Sequence, residues 1–341
     1  MSGHEHQLNI PSPFPILSVN KLAFILRTKP NELKKLSENA GNYYTPFDRK
    51  QIKDNGKVKW RHIDNPAPKL KKIQQKINRV LLKAKVESLP TGMTGGIKGR
   101  SIFTNAAQHL NQKAVVTIDL KDCFPRTSNK RIFRVWRNHL GTSECVANIL
   151  TKLTTFQRRL PQGSPTSSSL CNLALFPLFK KTKRYCQKEK FNLTLYVDDI
   201  TISGQTIPIR LAIGRIINFI QEEGYAVRRN KIKIMTASVQ QKTTGLIVNK
   251  QLSVSAKARE EIRKEIFILS RQEMFSSKRM RSLWGKINYI KKVSPKQGGK
   301  LASLAHTLLL DTLASHSYEN VTSEKEVTRE CKNTRRHKYS L

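Results

Sequence analysis

The stretch Leu193–Ser203 constrains the fold more than any other part of the chain, because it places two adjacent carboxylates between two short apolar strands. Apolar side chains alternate with other residues before Asp198 and again after Asp199, which is the period of half-buried β-strands. The two acidic residues therefore lie at the bend of a predicted hairpin. At about 4 Å, two such charges repel by roughly 4 kcal/mol at an effective dielectric constant of 20. A divalent cation would offset this repulsion, although aspartate is also common in turns that bind nothing.

A third carboxylate belongs to Asp119, which follows the apolar run Ala114–Ile118 near the end of another predicted strand. Alone, it would be interpreted as a solvent-facing group at a strand end. If this strand pairs with the hairpin, however, Asp119 comes to lie beside Asp198. Three carboxylates would then form a site for two hard cations that bridge phosphate oxygens, the arrangement used in polymerases.

The chain carries a very large positive charge. Its 341 residues include 63 lysines and arginines against 24 aspartates and glutamates, which gives a formal net charge of +39. This excess favours a polyanionic partner, and nucleic acid fits it better than a membrane surface. The ordinary apolar content excludes a disordered basic tail. We find no signal peptide and no apolar run long enough to cross a bilayer, so no membrane partner is expected.

The cysteines are scattered and odd in number, without a CxxC pair. This pattern predicts reduced thiols in a cytosolic protein rather than a disulfide framework.

A basic hairpin is predicted over residues 51–63. Asp54–Gly56 is a strong turn signal, and an alternating segment follows it. Lys57, Lys59 and Arg61 fall on one face of this segment, where they could hold phosphates. A solvated cationic face without a ligand is the alternative.

Two loops could also approach a nucleic acid. Thr91–Arg100 is rich in glycine but lacks the ending of a Walker loop, so it predicts a basic loop that backbone phosphates approach closely. Gln162 and Gly163 precede a long helix that Ser164 would cap and Pro165 would open, and free N–H groups at a helix start suit phosphate or base contacts. A capping loop without a ligand explains the same residues.

The order of elements after residue 114 is strand, helices, strand pair, helix and strand, which predicts a split βαβ sheet with helices on one face. Lys231 lies in the last connection, where it could meet the same phosphates. Residues 255–311 are helical and basic, with Trp284 and Tyr289 among lysines. Such aromatics suit nucleic-acid binding, and core packing explains them equally well.

Three segments in order resemble the catalytic boxes of reverse transcriptases. Tyr196–Asp199 is similar to their YxDD box. Asp119 with Phe124 resembles their first catalytic motif, and Leu160–Gly163 resembles their second.

Other segments resemble the retron reverse transcriptases of bacteria in particular. Asn105–His109 matches their NAxxH element, and Thr243–Gly245 resembles their VTG element with threonine in place of valine. Leu283–Ile290 is similar to their thumb, and the resemblance covers about residues 18–311. By chemistry alone, Asn105 and His109 are a structural hydrogen-bonded pair on one helix face.

The resemblance implies an α+β right-hand polymerase with fingers, a ferredoxin-like palm and a helical thumb. The implied boundaries are residues 1–112 for N-terminal helices and fingers, 113–250 for the palm with inserted finger helices, 251–312 for the thumb and 313–341 for a basic polar tail.

The resemblance also implies a role for each matching residue. Asp119, Asp198 and Asp199 would be catalytic and would bind two Mg²⁺ ions. The implied contacts with the incoming dNTP are these: Arg61 and Lys59 hold the triphosphate, Gln162 lies near the sugar and template, Phe124 excludes a 2′-hydroxyl, and Lys231 assists the leaving pyrophosphate. The remaining family positions would bind RNA or be structural: Asn105, His109, Thr244, Gly245 and Lys286.

The function implied is RNA-directed DNA polymerisation in the cytoplasm of a bacterium. Retron enzymes copy part of a structured noncoding RNA into multicopy single-stranded DNA (msDNA), primed from the 2′-hydroxyl of an internal guanosine. Family members act in antiphage defence with a retron-encoded effector protein. Two alternatives remain: another bacterial reverse transcriptase class, such as a relative of group II intron enzymes, and a noncatalytic RNA-binding scaffold.

Overall fold

The structure is a computed structural model that describes residues 14–52, 56, 58–272 and 276–308. The chain divides into two compact units between Thr244 and Gly245. The predicted palm boundary at residue 250 lies just beyond this division, and the predicted tail after residue 312 lies outside the described residues.

Two short helices open the described part of the first unit. Helix α1 (Val19–Ile25) is capped by Ser18, whose hydroxyl accepts a hydrogen bond from the Lys21 N–H at 3.2 Å. Helix α2 (Pro30–Glu38) begins at a proline, whose fixed φ suits the first helical position.

The basic hairpin is longer than its sequence pattern predicts. Strand β1 (Tyr44–Ile52) pairs antiparallel with β2 (Val58–Pro66), so the hairpin begins at residue 44 rather than 51. Nearly all of β1 is exposed, and a strand exposed on both faces has no apolar period to mark it. Asp54, Asn55 and Lys57 lie outside the described residues.

A four-stranded antiparallel sheet lies at the centre of the first unit. Its strands are β3 (Ala114–Asp119), β4 (Asn192–Tyr196), β5 (Asp199–Gly204) and β6 (Lys233–Thr236), in the spatial order β4-β5-β3-β6. This is the order 2-3-1-4 of a β-α-β-β-α-β ferredoxin-like sheet. The predicted ferredoxin-like palm is therefore confirmed. A further short strand of this unit is β7 (Lys242–Thr243).

Both faces of the sheet are buried, but they differ in chemistry. The alternating apolar residues of β4 and β5, such as Leu195 and Ile200, join the main hydrophobic core. The opposite face of these strands carries three buried hydroxyl groups, those of Thr194, Thr201 and Ser203. A buried polar face must be satisfied by hydrogen bonds, and a segment from outside the sheet provides them.

Helices surround the sheet. The helical stretch over residues 68–87 is divided, because a π-helical segment (Ile77–Leu82) separates two regular helices. A second π-helical segment covers Val135–His139. The helices are α3 (Pro68–Lys76), α4 (Lys83–Glu87), α5 (Ile102–Ala107), α6 (Cys123–Arg126), α7 (Asn129–Arg134), α8 (Glu144–Thr154), α9 (Ser167–Lys188) and α10 (Thr206–Glu222).

The prediction that Ser164 caps the long helix and Pro165 opens it is wrong. Helix α9 begins at Ser167, and Thr166 is its N-cap residue. The Ser164 hydroxyl instead lies 2.9 Å from the Thr166 hydroxyl and accepts a hydrogen bond from the Thr166 N–H at 3.3 Å. Ser164 therefore stabilises the turn that precedes α9 and does not cap the first turn of that helix.

The described residues of the second unit form a short strand and three helical stretches. These are β8 (Leu246–Ile247), α11 (Ala256–Ser270), α12 (Ser277–Val293) and helical residues 295–308. The Trp284 and His306 rings lie 4.8 Å apart, so Trp284 contributes to packing within this unit.

Among the described residues, no helix combines the length and apolar character that crossing a bilayer requires.

Candidate active site

The adjacent carboxylates lie at a tight hairpin turn. Tyr196 and Asp199 are register partners, so only Val197 and Asp198 lie between β4 and β5. Val197 has a φ of 58°, a left-handed conformation that a β-branched residue adopts only at an energetic cost. The surrounding structure must therefore stabilise this turn.

The support comes from the glycine-rich loop. A Cβ added at Gly95 would lie 2.2 Å from the Val197 nitrogen, so only glycine allows the loop to approach the turn so closely. The loop also pairs with β4, because Leu195 donates a hydrogen bond to the Gly92 carbonyl at 2.8 Å. The Arg100 guanidinium donates to four backbone carbonyls, those of Glu87, Leu89, Pro90 and Met93. It therefore stabilises the loop instead of facing a phosphate.

Asp119 lies beside this turn, as the sequence predicts. It is the direct antiparallel partner of Asp199 at the end of β3, and the Leu120 N–H donates to the Asp198 carbonyl at 3.0 Å. Two cations contact its carboxylate: Lys231 Nζ lies 3.1 Å from Oδ1, and Arg228 Nε lies 3.4 Å from Oδ2. The three carboxylates thus lie at one end of the sheet with basic groups close by.

The electrostatics of the cluster reflect this crowding. Partial burial, followed by the charges of Asp198 and Asp119, raises the pKa of Asp199 to about 6, although its side chain keeps some contact with solvent. Burial and the Asp119 charge also raise the pKa of Asp198, while Arg228 and Lys231 oppose the shift. The negative charge of the cluster is therefore only partly compensated by protein groups.

The residues fit a hard divalent cation by donor chemistry. All three side chains offer carboxylate oxygens, which Mg²⁺ prefers, and the Asp119 Oδ2 atom is buried without a hydrogen-bond partner among the described residues. The side chains do not converge on one point: the described residues contain no group of three or more His, Cys, Asp or Glu side chains placed to hold a metal as they stand. Lys231 and Arg228 partly neutralise Asp119 instead.

A cleft of about 490 Å³ adjoins the cluster and brings most of the predicted nucleotide-binding residues together. Its lining includes Asp198 and Asp199 on one side and residues of the basic hairpin on another. The predicted residues in the lining are Lys59, Arg61, Phe124, Gln162, Asp198 and Asp199. Asp119 and Lys231 are not among the lining residues, but they adjoin it through the β3–β5 pairing and their own ion pair.

Sequence reasoning missed Arg228, which also lines the cleft. The Arg228 guanidinium donates to Asp122 Oδ1 at 2.6 Å and lies near the Asp119 carboxylate. The Arg228 backbone N–H donates to the Asp119 backbone carbonyl at 3.0 Å. The basic run Arg228–Lys231 marks the region, but nothing in the sequence distinguishes which of its cations meets the carboxylates. Trp60 and His62 also line the cleft and were not predicted.

Asn105 and His109 are buried, but the prediction that they bond to each other on one helix face is wrong, because the helix ends at Ala107 and each side chain has other partners. The two ring nitrogens of His109 lie 2.8 Å from the Ser203 and Thr194 hydroxyls, and burial lowers its pKa to about 3. Asn105 Oδ1 accepts a hydrogen bond from the Thr94 hydroxyl at 2.7 Å. His109 therefore satisfies hydroxyls on the polar face of the palm sheet, and Asn105 holds the glycine-rich loop through Thr94.

The other family positions also make contacts within the protein. The Thr244 hydroxyl donates to the Ile102 carbonyl at 3.3 Å, and Gly245 has a φ of 90° that favours glycine. In the second unit, Lys286 Nζ lies 2.6 Å from Glu265 Oε2.

A ferredoxin-like sheet with three carboxylates at one end, next to a cleft bordered by a basic hairpin, defines the palm of a right-hand polymerase. The family model described as reverse transcriptase (RNA-dependent DNA polymerase) matches residues 52–249. The chain belongs to this family.

The similar curated proteins are retron enzymes, which confirms the resemblance seen in the sequence. The retron Mx65 reverse transcriptase of Myxococcus xanthus is 31% identical over 73% of this chain and 62% of that protein. The retron Ec86 reverse transcriptase of Escherichia coli is 31% identical over 60% of this chain and 64% of that protein. The retron Se72 reverse transcriptase of Salmonella heidelberg is 25% identical over 86% of this chain and 80% of that protein. The chain thus spans less than two thirds of the first two relatives.

Proposed function

We propose that this protein is a retron-type RNA-directed DNA polymerase. The observation that carries the proposal is the register that sets Asp119 directly opposite Asp199, with Asp198 in the adjoining turn. Carboxylates distant in sequence meet there beside a cleft of a size that suits a nucleotide. The names of the curated relatives favour the retron class over relatives of group II intron enzymes.

Asp119, Asp198 and Asp199 would together hold two magnesium ions, and the fit rests on their hard oxygen donors and only partly compensated charge. The chemistry supplied by bound magnesium is charge stabilisation, which lowers the pKa of the primer hydroxyl and stabilises the transferring phosphoryl group. Residues of this chain would orient the primer and the nucleotide for in-line attack.

The residues that line the cleft take complementary roles with the incoming dNTP. Arg61 and Lys59 would bind the triphosphate, because both are cations of the hairpin that borders the cleft. Gln162 would lie near the sugar and the template, and Phe124 would exclude a ribose 2′-hydroxyl. Lys231, which adjoins the cleft through its ion pair with Asp119, would assist the leaving pyrophosphate.

The product would be msDNA copied from a cognate structured noncoding RNA. The same site would accept first the 2′-hydroxyl of an internal guanosine and later the 3′-hydroxyls of the growing DNA. A retron-encoded effector protein would be the partner in antiphage defence, and the bacterial cytoplasm would be the compartment. The free cysteines of the described residues fit a reducing compartment.

Incorporation of labelled dNTP on an RNA template annealed to a DNA primer tests the polymerase proposal. The wild type should incorporate nucleotide and Asp198→Asn should not, whereas Glu222→Gln, which neutralises an exposed carboxylate on α10, should match the wild type. RNA binding without incorporation by the wild type would favour the noncatalytic scaffold. Equal incorporation by wild type and Asp198→Asn would overturn the site. The retron assignment is tested by sequencing the DNA that flanks the gene for an inverted-repeat RNA.

A further inference from the structure

Asp64, at the end of β2, is a fully buried carboxylate outside the cleft lining. Arg159 contacts it with both terminal nitrogens, at 2.9 Å to Oδ2 and 3.2 Å to Oδ1. The Gln162 N–H also donates to Oδ2 at 2.9 Å. A planar, two-point contact with arginine fixes orientation as well as distance.

The backbones of the two segments also meet at this point. The Asp64 N–H donates to the Gln162 carbonyl at 2.8 Å, so strand and loop exchange hydrogen bonds in both directions. Gly163 has a φ of 134°, and a Cβ added there would lie 2.9 Å from Ile63 Cγ2 and 3.0 Å from the Asp64 carbonyl oxygen. Only glycine permits so close an approach.

The segments joined in this way carry opposite parts of the proposed nucleotide site. Strand β2 carries Lys59 and Arg61, and the loop carries Gln162; all three side chains line the cleft. The Asp64 side chain has no exposed surface and cannot touch a nucleotide. Its effect on the cleft must pass through the segments that it holds.

We propose that Asp64, braced by Arg159, is a positioning residue that fixes the basic hairpin against the Gln162 loop and so sets the geometry of dNTP binding. This inference rests on the proposed polymerase function. Its ligand-independent part, the fixing of the loop by Asp64, does not depend on that function.

If the ion pair were merely structural, its loss would lower the stability of the protein without a specific rise in the KM for the nucleotide. The positioning role predicts a specific loss: Asp64→Asn should raise the KM for dTTP by about 10- to 100-fold, the range expected when binding groups are slightly misplaced. The affinity for the RNA template and DNA primer should change little in the folded protein. Arg131→Gln is the matched control, because Arg131 pairs with Glu223 away from the cleft in the same unit.

The experiment uses the full chain at a temperature at which circular dichroism shows each variant to be folded. The KM and kcat for dTTP are measured on a synthetic RNA template with a DNA primer, and the affinity for that duplex is measured by fluorescence anisotropy. If Asp64→Asn does not fold, Asp64→Asn/Arg159→Gln removes both charges of the partly buried ion pair and should fold with a raised KM. A wild-type KM in either folded variant, or the same rise in Arg131→Gln, would overturn the inference.

Hydrogen exchange separates this inference from the proposed function. Peptides that contain residues 58–66 and 160–163 should exchange faster in Asp64→Asn than in the wild type and Arg131→Gln. This result is expected even if the wild type proves inactive as a polymerase. Unchanged exchange in these peptides would contradict the positioning role.

Discussion

The ammonium group of Lys231 lies 3.1 Å from the carboxylate of Asp119, and its charge also lowers the pKa values of Asp198 and Asp199. One lysine therefore acts on all three acidic residues of the site. Its removal should change the titration of Asp198 and Asp199.

The first prediction concerns Lys231→Gln. Loss of this cation should raise the pKa values of Asp198 and Asp199 further, so the acidic limb of the pH–rate profile should move to higher pH. The measurement is dNTP incorporation across pH at fixed magnesium. Lys233→Gln removes an equal charge from β6, outside the cleft, and should leave the profile nearly unchanged. An unaltered acidic limb in Lys231→Gln would contradict the prediction.

The second prediction concerns stability without divalent cations. The folded-state pKa of Asp199, about 6, lies above its ordinary value of 3.8. The stability linked to this carboxyl is therefore present below pH 3.8 and lost as pH rises through 6. Asp199→Asn should raise the unfolding free energy near neutral pH by about 1 kcal/mol, a value reduced for solvent screening, and the Tm by about 2 °C.

Thermal melts with and without magnesium check this second prediction. Wild type and Asp199→Asn should agree near pH 4, and magnesium should raise the Tm of the wild type more than that of the variant. Glu222→Gln is the control for loss of an exposed carboxylate. An Asp199→Asn variant that melts lower than the wild type at neutral pH would rule out the electrostatic explanation.

The third prediction concerns the glycine loop. Gly95→Ala should abolish most incorporation, because the added Cβ would collide with the Val197 backbone and move the adjoining Asp198. Gly214→Ala on α10 is the matched control: it has open space around it, and alanine should stabilise a helix by up to about 1 kcal/mol. Primer extension and thermal melting measure the two effects. Full activity in Gly95→Ala would mean that the turn does not need this support.

The fourth prediction concerns His109. Its folded-state pKa of about 3 lies below its ordinary 6.5, so its contribution to stability is present above pH 6.5 and lost as pH falls towards 3. His109→Gln should be less stable near pH 7 but should lose less further stability on acidification. Urea unfolding at several pH values compares His109→Gln with the wild type. Parallel pH dependence in wild type and His109→Gln would be inconsistent with a buried neutral imidazole.

The fifth prediction concerns RNA binding. If about eight phosphates are neutralised by the basic surface, log affinity should fall against log salt with a slope of roughly −6 to −7. Filter binding or anisotropy over a range of salt concentrations measures the slope. A nearly flat dependence of affinity on salt would exclude RNA binding that rests mainly on phosphate contacts.

The placement of the three carboxylates at one end of the sheet could be predicted because it depends on local patterns. Apolar residues alternate on both sides of the Asp198–Asp199 pair and before Asp119, which predicts strands that end in acidic residues. The one further assumption was that these strands pair with each other. The structure has that pairing.

The supporting contacts could not be predicted because they depend on packing between distant segments. Asp64 and Arg159 are 95 positions apart, and neither belongs to a periodic pattern that would join them. Gly95 looks like part of a phosphate-binding loop in sequence, and its role is visible only when the Val197 backbone lies against it. Helix α9 begins two residues after Pro165, because the Ser164 hydroxyl bonds to the Thr166 N–H and hydroxyl instead of to the first turn of the helix.

The hydrogen bonds of His109 to Ser203 and Thr194 have a consequence for folding accuracy. Side chains of a strand alternate between its two faces, so a slip of β5 by one residue would turn the Asp199 carboxylate away from Asp119 and leave the imidazole facing an aliphatic side chain. The misaligned sheet would bury unsatisfied polar atoms on one face and hydroxyls in the apolar core on the other. The hydrogen bonds of the buried histidine thus favour the native register of β5, and they are lost in the slipped register that would separate the acidic residues.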